Sequence, residues 1–378
     1  TPVVMPVNLI AGCISEEGIA RVSDEETARL ARHKLAPGDI VFSRRGDVTR
    51  FALVSKREEG WLCGTGCLKV SVGRSTVATP GFIAAVLASP ESKEWLIRHA
   101  VGATMPNLNT EILAGIPVTL PPLEEQRAIA ETLGALDDRI DNLRQTNATL
   151  EAIAAALFKS WFVDFDGVPP EDMQESELGL IPKGWRVGTL VDLCEVNTAK
   201  WTDKKHPPTV GYIDLSGVSS NRIEAITEYA FDEAPSRARM HLREGDTIVG
   251  MVRPGNRAFA YIHVPDASLT GSTGFAVLSP KRPHYASFIY LAVTRDEAIE
   301  RLANLADGAA YPAVRPNVVA ETPCVIAPDE VIAKFSAVTK PMLERIEPNS
   351  QQAATLAAVR DTLLPRLISG RLRIKAAA

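Results

Sequence analysis

Residues 121–161 read PPLEEQRAIAETLGALDDRIDNLRQTNATLEAIAAALFKSW, and this stretch decides the architecture. Pro121 and Pro122 punctuate its start, and Glu124 and Glu125 suit the positive end of a helix dipole. From there one stripe recurs in alternating steps of four and three: Ile129, Leu133, Leu136, Ile140, Leu143, Asn147, Leu150, Ala154, Leu157 and Trp161. Such spacing keeps a single face of a helix turned to one partner, which is the heptad pattern of a coiled coil. The stripe predicts one helix over 124–161. About 38 residues at about 1.5 Å each make it roughly 57 Å long, which suits a spacer better than a core helix. Asn147 is polar on the stripe and reads either as a solvated position or as a pin of helix register.

Outward from this helix, the chain repeats itself. Phe82-Ile83 matches Phe288-Ile289, Gly102-Ala103 matches Gly308-Ala309, and Met105-Pro106 matches Tyr311-Pro312. Pro117, Glu124 and Arg139-Ile140 match Pro323, Glu330 and Arg345-Ile346, each pair standing 206 positions apart. Upstream, Arg32, Leu35, Gly38-Asp39 and Arg50 match Arg239, Leu242, Gly245-Asp246 and Arg257 with a slip of one, and Thr65-Gly66 matches Thr273-Gly274 with a slip of two. Loop insertions account for such drift. The chain is therefore one unit written twice, a globular segment followed by a long helix. The run Leu178–Trp185 that opens the second copy finds no match before Thr1, so roughly thirty residues of the first copy are expected to be missing.

The second helix is expected from Asp329 to Ser369, with the weaker stripe Phe335, Thr339, Met342, Ile346, Asn349, Ala353, Leu356, Arg360, Leu363 and Leu367. Pro341, Pro348 and Pro365 interrupt it, and an interior proline kinks or breaks a helix. A kink or short break is expected near Pro348, and Gly370 is a natural stop. Two such helices are expected to pack antiparallel.

The fold class that follows is α/β (α+β): two mixed α/β domains separated by two long helices forming an antiparallel coiled coil. The expected boundaries are 1–121 and 166–327 for the domains, and 122–165 and 328–372 for the helices. Gly and Pro clusters mark short strands at Asp39–Ser43, Phe51–Lys56 and Cys67–Val72, then at Thr209–Ser219, Asp246–Val252, Ala258–Val264 and Gly274–Ser279. Single helices are expected over Pro80–Ala100 and His284–Ala306.

The length of 378 residues exceeds one ordinary domain, and the composition, 46% hydrophobic and 23% charged, is that of globular proteins. There is no apolar run of about 18 residues, so no membrane span is expected, and no secretory signal pattern opens the chain. Five scattered cysteines, an odd number, favour a reducing, cytoplasmic setting. Cys63 and Cys67 lack the second ligand pair a zinc site needs and read as small strand residues.

The net charge of −5 argues mildly against a nucleic-acid binder, but binding depends on where charge sits. Basic residues gather in matching loops. The first copy carries Arg44, Arg45, Arg50, Lys56 and Arg57. The second carries Arg237, Arg239, Arg253 and Arg257, plus Lys200, Lys204, Lys205 and His206 in an earlier loop. In both copies positive charge follows the same Gly-Asp turn. These side chains could meet phosphates, and an arginine could read guanine in the major groove; the plainer reading of each one is a solvated surface.

No phosphate-binding Gly-x-x-x-x-Gly-Lys-Ser/Thr loop and no Asn/Asp-Pro-Pro-Tyr/Phe stretch of an amino-methylase occurs. Pro328-Asp329-Glu330 with Lys334 faintly resembles a nuclease cluster, but at a helix start Asp329 is expected to be an N-cap. Asp164 and Asp166 read as a solvated helix exit rather than a metal pair, and the six histidines show no ligand spacing.

Three segments in this order resemble the specificity subunits of type I restriction–modification systems. They are Pro121-Pro122-Leu123-Glu124-Glu125-Gln126-Arg127-Ala128-Ile129, Leu157-Phe158-Lys159-Ser160-Trp161-Phe162-Val163-Asp164-Phe165, and Leu178-Gly179-Leu180-Ile181-Pro182-Lys183-Gly184-Trp185. The second helix departs from the pattern, starting Ala327-Pro328-Asp329-Glu330-Val331-Ile332 without the glutamine. The resemblance implies a non-catalytic, sequence-specific DNA-binding subunit. Each recognition domain would read one half of a bipartite double-stranded DNA target. The helices would set the spacer and dock two methylase subunits, through which restriction and motor subunits join. S-adenosylmethionine, ATP and Mg²⁺ are expected on those partners and no cofactor on this chain. The alternatives are a coiled-coil protein-interaction adaptor without DNA specificity and, less in keeping with the absent motifs, an autonomous nuclease or methylase.

Overall fold

In the computed structural model the apolar stripe of 121–161 lies on a continuous helix, Leu123–Phe162. The structure describes residues 1–10, 12–72, 75–102, 104–263, 266–308 and 310–374. A second long helix covers Asp329–Ile368, also without interruption, and Gly370 follows it at φ +70°.

The break expected near Pro348 does not occur. Pro348 withholds one N–H from the helical ladder, but the bonds beside it hold the chain in place. The Ile346 carbonyl accepts from Asn147 Nδ2 at 2.9 Å and from Ser350 Oγ at 2.9 Å. Leu343 and Ile346 are buried on the same face, so unwinding the helix here would return apolar surface to water.

The chain divides into two compact units: Thr1–Asn142 with Gln352–Ala378, and Leu143–Gln351. Each unit thus contains one sheet-bearing domain and a segment of both long helices. In the first unit Ile129, Leu133, Leu364 and Leu367 share a core with Phe82 and Val86, and Arg360 Nη1 bonds Asp137 Oδ1 at 2.6 Å. In the second, Asn147 meets Ile346 and Ser350, whereas Phe158 and Trp161, further along, meet Phe335 at ring distances of 6.0 and 5.7 Å. Within each unit the paired segments are therefore antiparallel. Ile129, Leu133, Ile140, Leu143, Ala154, Phe335, Thr339, Ile346, Asn349, Ala353 and Leu367 are buried, and Leu136, Asn147, Leu150, Leu157, Trp161, Met342, Leu356, Arg360 and Leu363 are partly so.

The first unit's domain is built on the antiparallel sheet Phe51–Leu53, Asp39–Ser43, Cys67–Ser71. Ile40 and Phe42 on its central strand bury against Leu87 and Leu96. A second small sheet pairs Pro2–Val4 in parallel with Leu62–Cys63. The second unit reproduces both features. Thr247–Gly250 lies between Phe259–Tyr261 and Phe275–Pro280, all antiparallel, and Thr209–Ile213 pairs in parallel with Leu269–Ser272. The Gly-Asp turn is also duplicated. Gly38 and Gly245 take φ of +88° and +82°, and Asp39 and Asp246 accept from the N–H of Ala36 and Arg243 at 2.9 and 2.8 Å.

Several expected elements are shorter or divided. The helix expected over Pro80–Ala100 is two, Pro80–Ala88 and Pro90–His99, because the residue before Pro90 is pushed out of the helical region. Ser89, extended at ψ 150°, caps the second by accepting from Ser92 N. The helix expected over His284–Ala306 is likewise two, Ala286–Thr294 and Asp296–Asn304, separated by extended Arg295. Here Thr294 Oγ1 bonds back to Tyr290 O, while Asp296 and Glu297 favour a new N-terminus. The strand expected over Thr209–Ser219 is interrupted at Leu215–Gly217, a turn that Asp214 caps. Of Ala258–Val264 only Phe259–Tyr261 is strand, and Val264 lies outside the described residues, as do Ala103 and Ala309 of the repeat.

The end of the first long helix and the segment Leu178–Trp185 meet in one core. Phe162 lies 5.8 Å from Trp185, 4.8 Å from Phe288 and 4.9 Å from Phe335 between ring centres. The hairpin Met173–Ser176 with Gly179–Pro182 leads into it. Lys159 pairs with Asp164 at the helix exit. Among the described residues no cluster of metal-ligating side chains is present, and no helix is long and apolar enough to cross a membrane.

Candidate nucleic-acid interface

The basic loops sit where the sheets change direction. In the first unit, residues 44–50 connect Asp39–Ser43 to Phe51–Leu53, and Phe42 pairs with Phe51 just before the loop. Arg45 and Arg50 are exposed and Arg44 is partly buried. Arg50 is balanced by Asp47 at 3.2 Å. Lys56 is not with them. It follows Leu53, which pairs with Ile40 at the opposite end of the same hairpin. Its neighbour Arg57 donates to Glu58 and to Ile14 O, both at 2.8 Å.

In the second unit the matching loop, residues 251–258, carries Arg253 and Arg257, both in the left-handed region at φ +48° and +58°. For residues bearing a Cβ this costs on the order of 1–2 kcal/mol each. Gly46 occupies the matching position to Arg253 in the first unit, at φ +78°. Arg257 bonds Asp296 at 2.7 Å, and the Arg253 guanidinium lies 5.0 Å from the Tyr311 ring centre. Arg237 joins this end of the domain: its carbonyl accepts from Thr273 N, and Gly274 O accepts from Met251 N. Asp214 at 2.9 Å and the Tyr212 hydroxyl hold its side chain.

Lys200, Lys204 and Lys205 form a second basic ridge along the strand Ala238–His241. Lys200 bridges to Met240, and Trp201 N donates to Arg239 O at 2.9 Å. Two stacks stiffen the ridge. Trp201 lies on His241 at 4.1 Å, and Phe231 has His206 at 3.8 Å and the Arg239 guanidinium at 4.7 Å. Burial lowers the His241 pKa, and Arg243 and Lys205 lower it further, which favours the neutral ring. Lys204 and Lys205 are exposed.

The groups weighed for chemistry have structural employment. Asp329 does not act as the expected N-cap. Its carboxylate accepts from Arg282, lies 2.8 Å from His284 Nε2 and accepts from the Tyr285 hydroxyl at 2.6 Å. The bonds from Tyr285 and His284 hold it down to about 2. Burial pushes the Cys63 and Cys67 thiols up to about 11 and about 12.

One feature escapes a search for charge. Backbone hydrogen bonds join Pro106 and Leu108 to the first basic loop and Pro312 and Val314 to the second, where the Arg253 side chain adds a bond to Ala310 O; exposed Met105 and Tyr311 stand beside these bonds. The signal lay in the repeat, where Met105-Pro106 matches Tyr311-Pro312.

Comparison with known proteins finds likeness to one family. The type I restriction modification DNA specificity domain matches residues 16–152. The type I restriction enzyme MjaIX specificity subunit of Methanocaldococcus jannaschii is 28% identical over 295 residues, covering 75% of this chain and 66% of that protein. The HindI specificity subunit of Haemophilus influenzae is 22% identical over 420 aligned positions, covering 90% and 88%. The crystal structure of a type I restriction–modification S subunit from M. genitalium superposes with a TM-score of 0.56 at 17% identity, over 87% of this chain and 82% of that one, and so shares the fold. Over most of its length the chain is similar to type I restriction–modification specificity subunits, and the match to their DNA specificity domain falls on residues 16–152.

Proposed function

We propose that this chain reads a two-part sequence on double-stranded DNA, one part by each recognition domain, on behalf of a methyltransferase–endonuclease complex. The observation that carries the reading is the duplicated arginine-bearing loop, set after the same Gly-Asp turn and against the same backbone frame in both units. Its guanidinium groups suit phosphates and guanine edges. The boundaries 1–121 and 166–327 serve as the recognition domains in this reading. The segments 122–165 and 328–372 serve as the spacer that fixes how many base pairs go unread, and as the platform for two methylase subunits.

The chain is non-catalytic. S-adenosylmethionine, ATP and Mg²⁺ belong to the methylase and to the restriction and motor subunits that join through it, and the assembly works in the cytoplasm. Arg44, Arg45, Arg50, Lys204, Lys205, Arg237, Arg239, Arg253 and Arg257 are the proposed DNA contacts. Lys56, at the far end of its hairpin, is the outlier among the sequence candidates. The test is binding of the assembled complex to cognate and scrambled duplexes over a salt series. Cognate preference, with affinity falling as salt rises, supports the reading, because phosphate contacts release counterions. Equal affinity for both duplexes overturns it, and affinity indifferent to salt would mark a protein adaptor instead.

A further inference from the structure

Each unit builds the same small frame beside its basic loop, and each frame carries a bare apolar side chain at the matching position of the repeat. In the first unit, Gly46 N donates to Pro106 O at 3.1 Å and Leu108 N to Arg44 O at 2.9 Å. Val101 and Asn107 exchange bonds at 3.0 and 2.9 Å. In the second, Arg253 N donates to Pro312 O at 2.7 Å and Val314 N to Met251 O at 3.0 Å, while Asp307 and Ala313 exchange bonds at 3.1 and 2.9 Å. Gly102 and Gly308 make the bend possible at φ +111° and +117°; a Cβ at either would stand 2.7 Å from Met105 O or 3.1 Å from Tyr311 O. The side chains so presented are Met105, 61% exposed, and Tyr311, 72% exposed.

Nothing in the fold of either unit requires this arrangement. Loop tips are ordinarily polar, yet here a frame built twice presents a thioether in one unit and a phenol in the other. The Arg253 guanidinium braces the second tip, lying over the Tyr311 ring and donating to Ala310 O at 2.9 Å. Arg253 stands beside that tip, and Arg44 and Arg45 stand beside the first, Arg44 O accepting from Leu108 N and Arg45 bridging to Asn107, so the surface that fits is anionic around an apolar centre. A DNA duplex has that character, with phosphates outside and base faces and thymine methyl groups within its grooves.

We infer that Met105 and Tyr311 are specificity-determining residues that touch bases, one for each half of the target. This deepens the DNA-reading function proposed above and rests on it. The test uses the full chain assembled with its methylase subunits, carrying Tyr311→Ala, Tyr311→Phe or Met105→Ala. Affinities for cognate and scrambled duplexes are measured from about 0.05 to 0.2 M salt, and methylated adenines are mapped on plasmid DNA. Tyr311→Ala is expected to weaken cognate binding about tenfold or more, since a good base contact is worth that much. Scrambled binding and the salt slope stay unchanged, because an apolar contact releases no counterion. Tyr311→Phe retains most of the affinity. Tyr311→Ala relaxes the methylation sequence in one half only, and Met105→Ala in the other. Equal losses on both duplexes, or none, with the unsubstituted complex still selective, overturn this inference and leave the function standing. An unsubstituted complex that does not discriminate overturns both.

Discussion

Asn349 Nδ2 donates to Asn147 Oδ1 at 2.8 Å, joining the two long helices side chain to side chain within the second unit. Asn147 completes the junction by donating to Ile346 O and to Ser350 Oγ, at 2.9 and 3.0 Å. Asn349 is 2% exposed, so the pair sits in the seam as a matched polar lock. Both residues occupy stripe positions in the sequence. The choice left open for Asn147 is thus decided in favour of the register pin.

Asn147→Ala is expected to destabilise the protein by about 1–3 kcal/mol, because Asn349 then keeps a buried amide without its partner. Replacing both by leucine should restore the lost stability while loosening register. Urea unfolding of the three variants checks this. A single substitution as harmless as the double one would show that the lock bears no strain.

Gln126 should prove the most sensitive polar residue of the first helix. It is fully buried, accepts from Thr79 N at 2.9 Å, and donates to Val77 O and Pro121 O, both at 2.8 Å. Gln126→Ile reproduces Ile332, its counterpart in the second unit. It is expected to cost about 2 kcal/mol or more by stranding one donor and two acceptors. Thermal melting, with faster amide exchange at Thr79, is the readout; an unchanged melt with unchanged exchange at Thr79 refutes the assignment.

Asp246 makes stability fall as pH rises. Burial raises its pKa from 3.8 to about 6, against the opposing bond from the Arg243 N–H. The folded state therefore holds a proton that the unfolded chain has released between about pH 4 and pH 6. Over that window the group's contribution declines, and above it the loss is constant, of order 3 kcal/mol at most. Asp246→Asn keeps an acceptor for Arg243 N–H and should be more stable than the parent at pH 7.5, with the advantage shrinking towards pH 4. An advantage independent of pH contradicts the shift.

Arg253→Gly separates folding from binding. The substitution relieves a left-handed backbone and copies Gly46, so stability is expected to hold or rise by up to about 1 kcal/mol. DNA affinity of the assembled complex should fall, with a salt slope shallower by about one. A fall in stability with unaltered binding would assign Arg253 to the fold alone.

What the sequence disclosed follows periodicity and repetition. Both long helices, antiparallel pairing and the doubled domains were legible because a four-and-three stripe over many turns has few other solutions. Pro348 misled because its cost is local, whereas the bonds that override it come from Asn147, some two hundred positions away. The divided helices at Ser89 and Arg295 show the same limit. The first break is announced by Pro90, the second only by Thr294 bonding back to the Tyr290 carbonyl. Small strands such as Arg186–Thr189, which pairs with Pro323–Ile326, carry too few residues to show a period. For the candidate interface, charge pointed to the arginine loops but not to Lys56 lying at the other end of its hairpin. Met105 and Tyr311 carry no charge, and they emerge only when the repeat is read for what differs within it.

The frames around Met105 and Tyr311 are tied by main-chain groups, and main-chain bonds are blind to the side chain they carry. A substitution at either tip therefore leaves those ties in place, and at Tyr311 it removes only the stacking of Arg253 on the ring. In such an arrangement new preferences can be acquired one letter at a time, by a lineage that never passes through a misfolded ancestor.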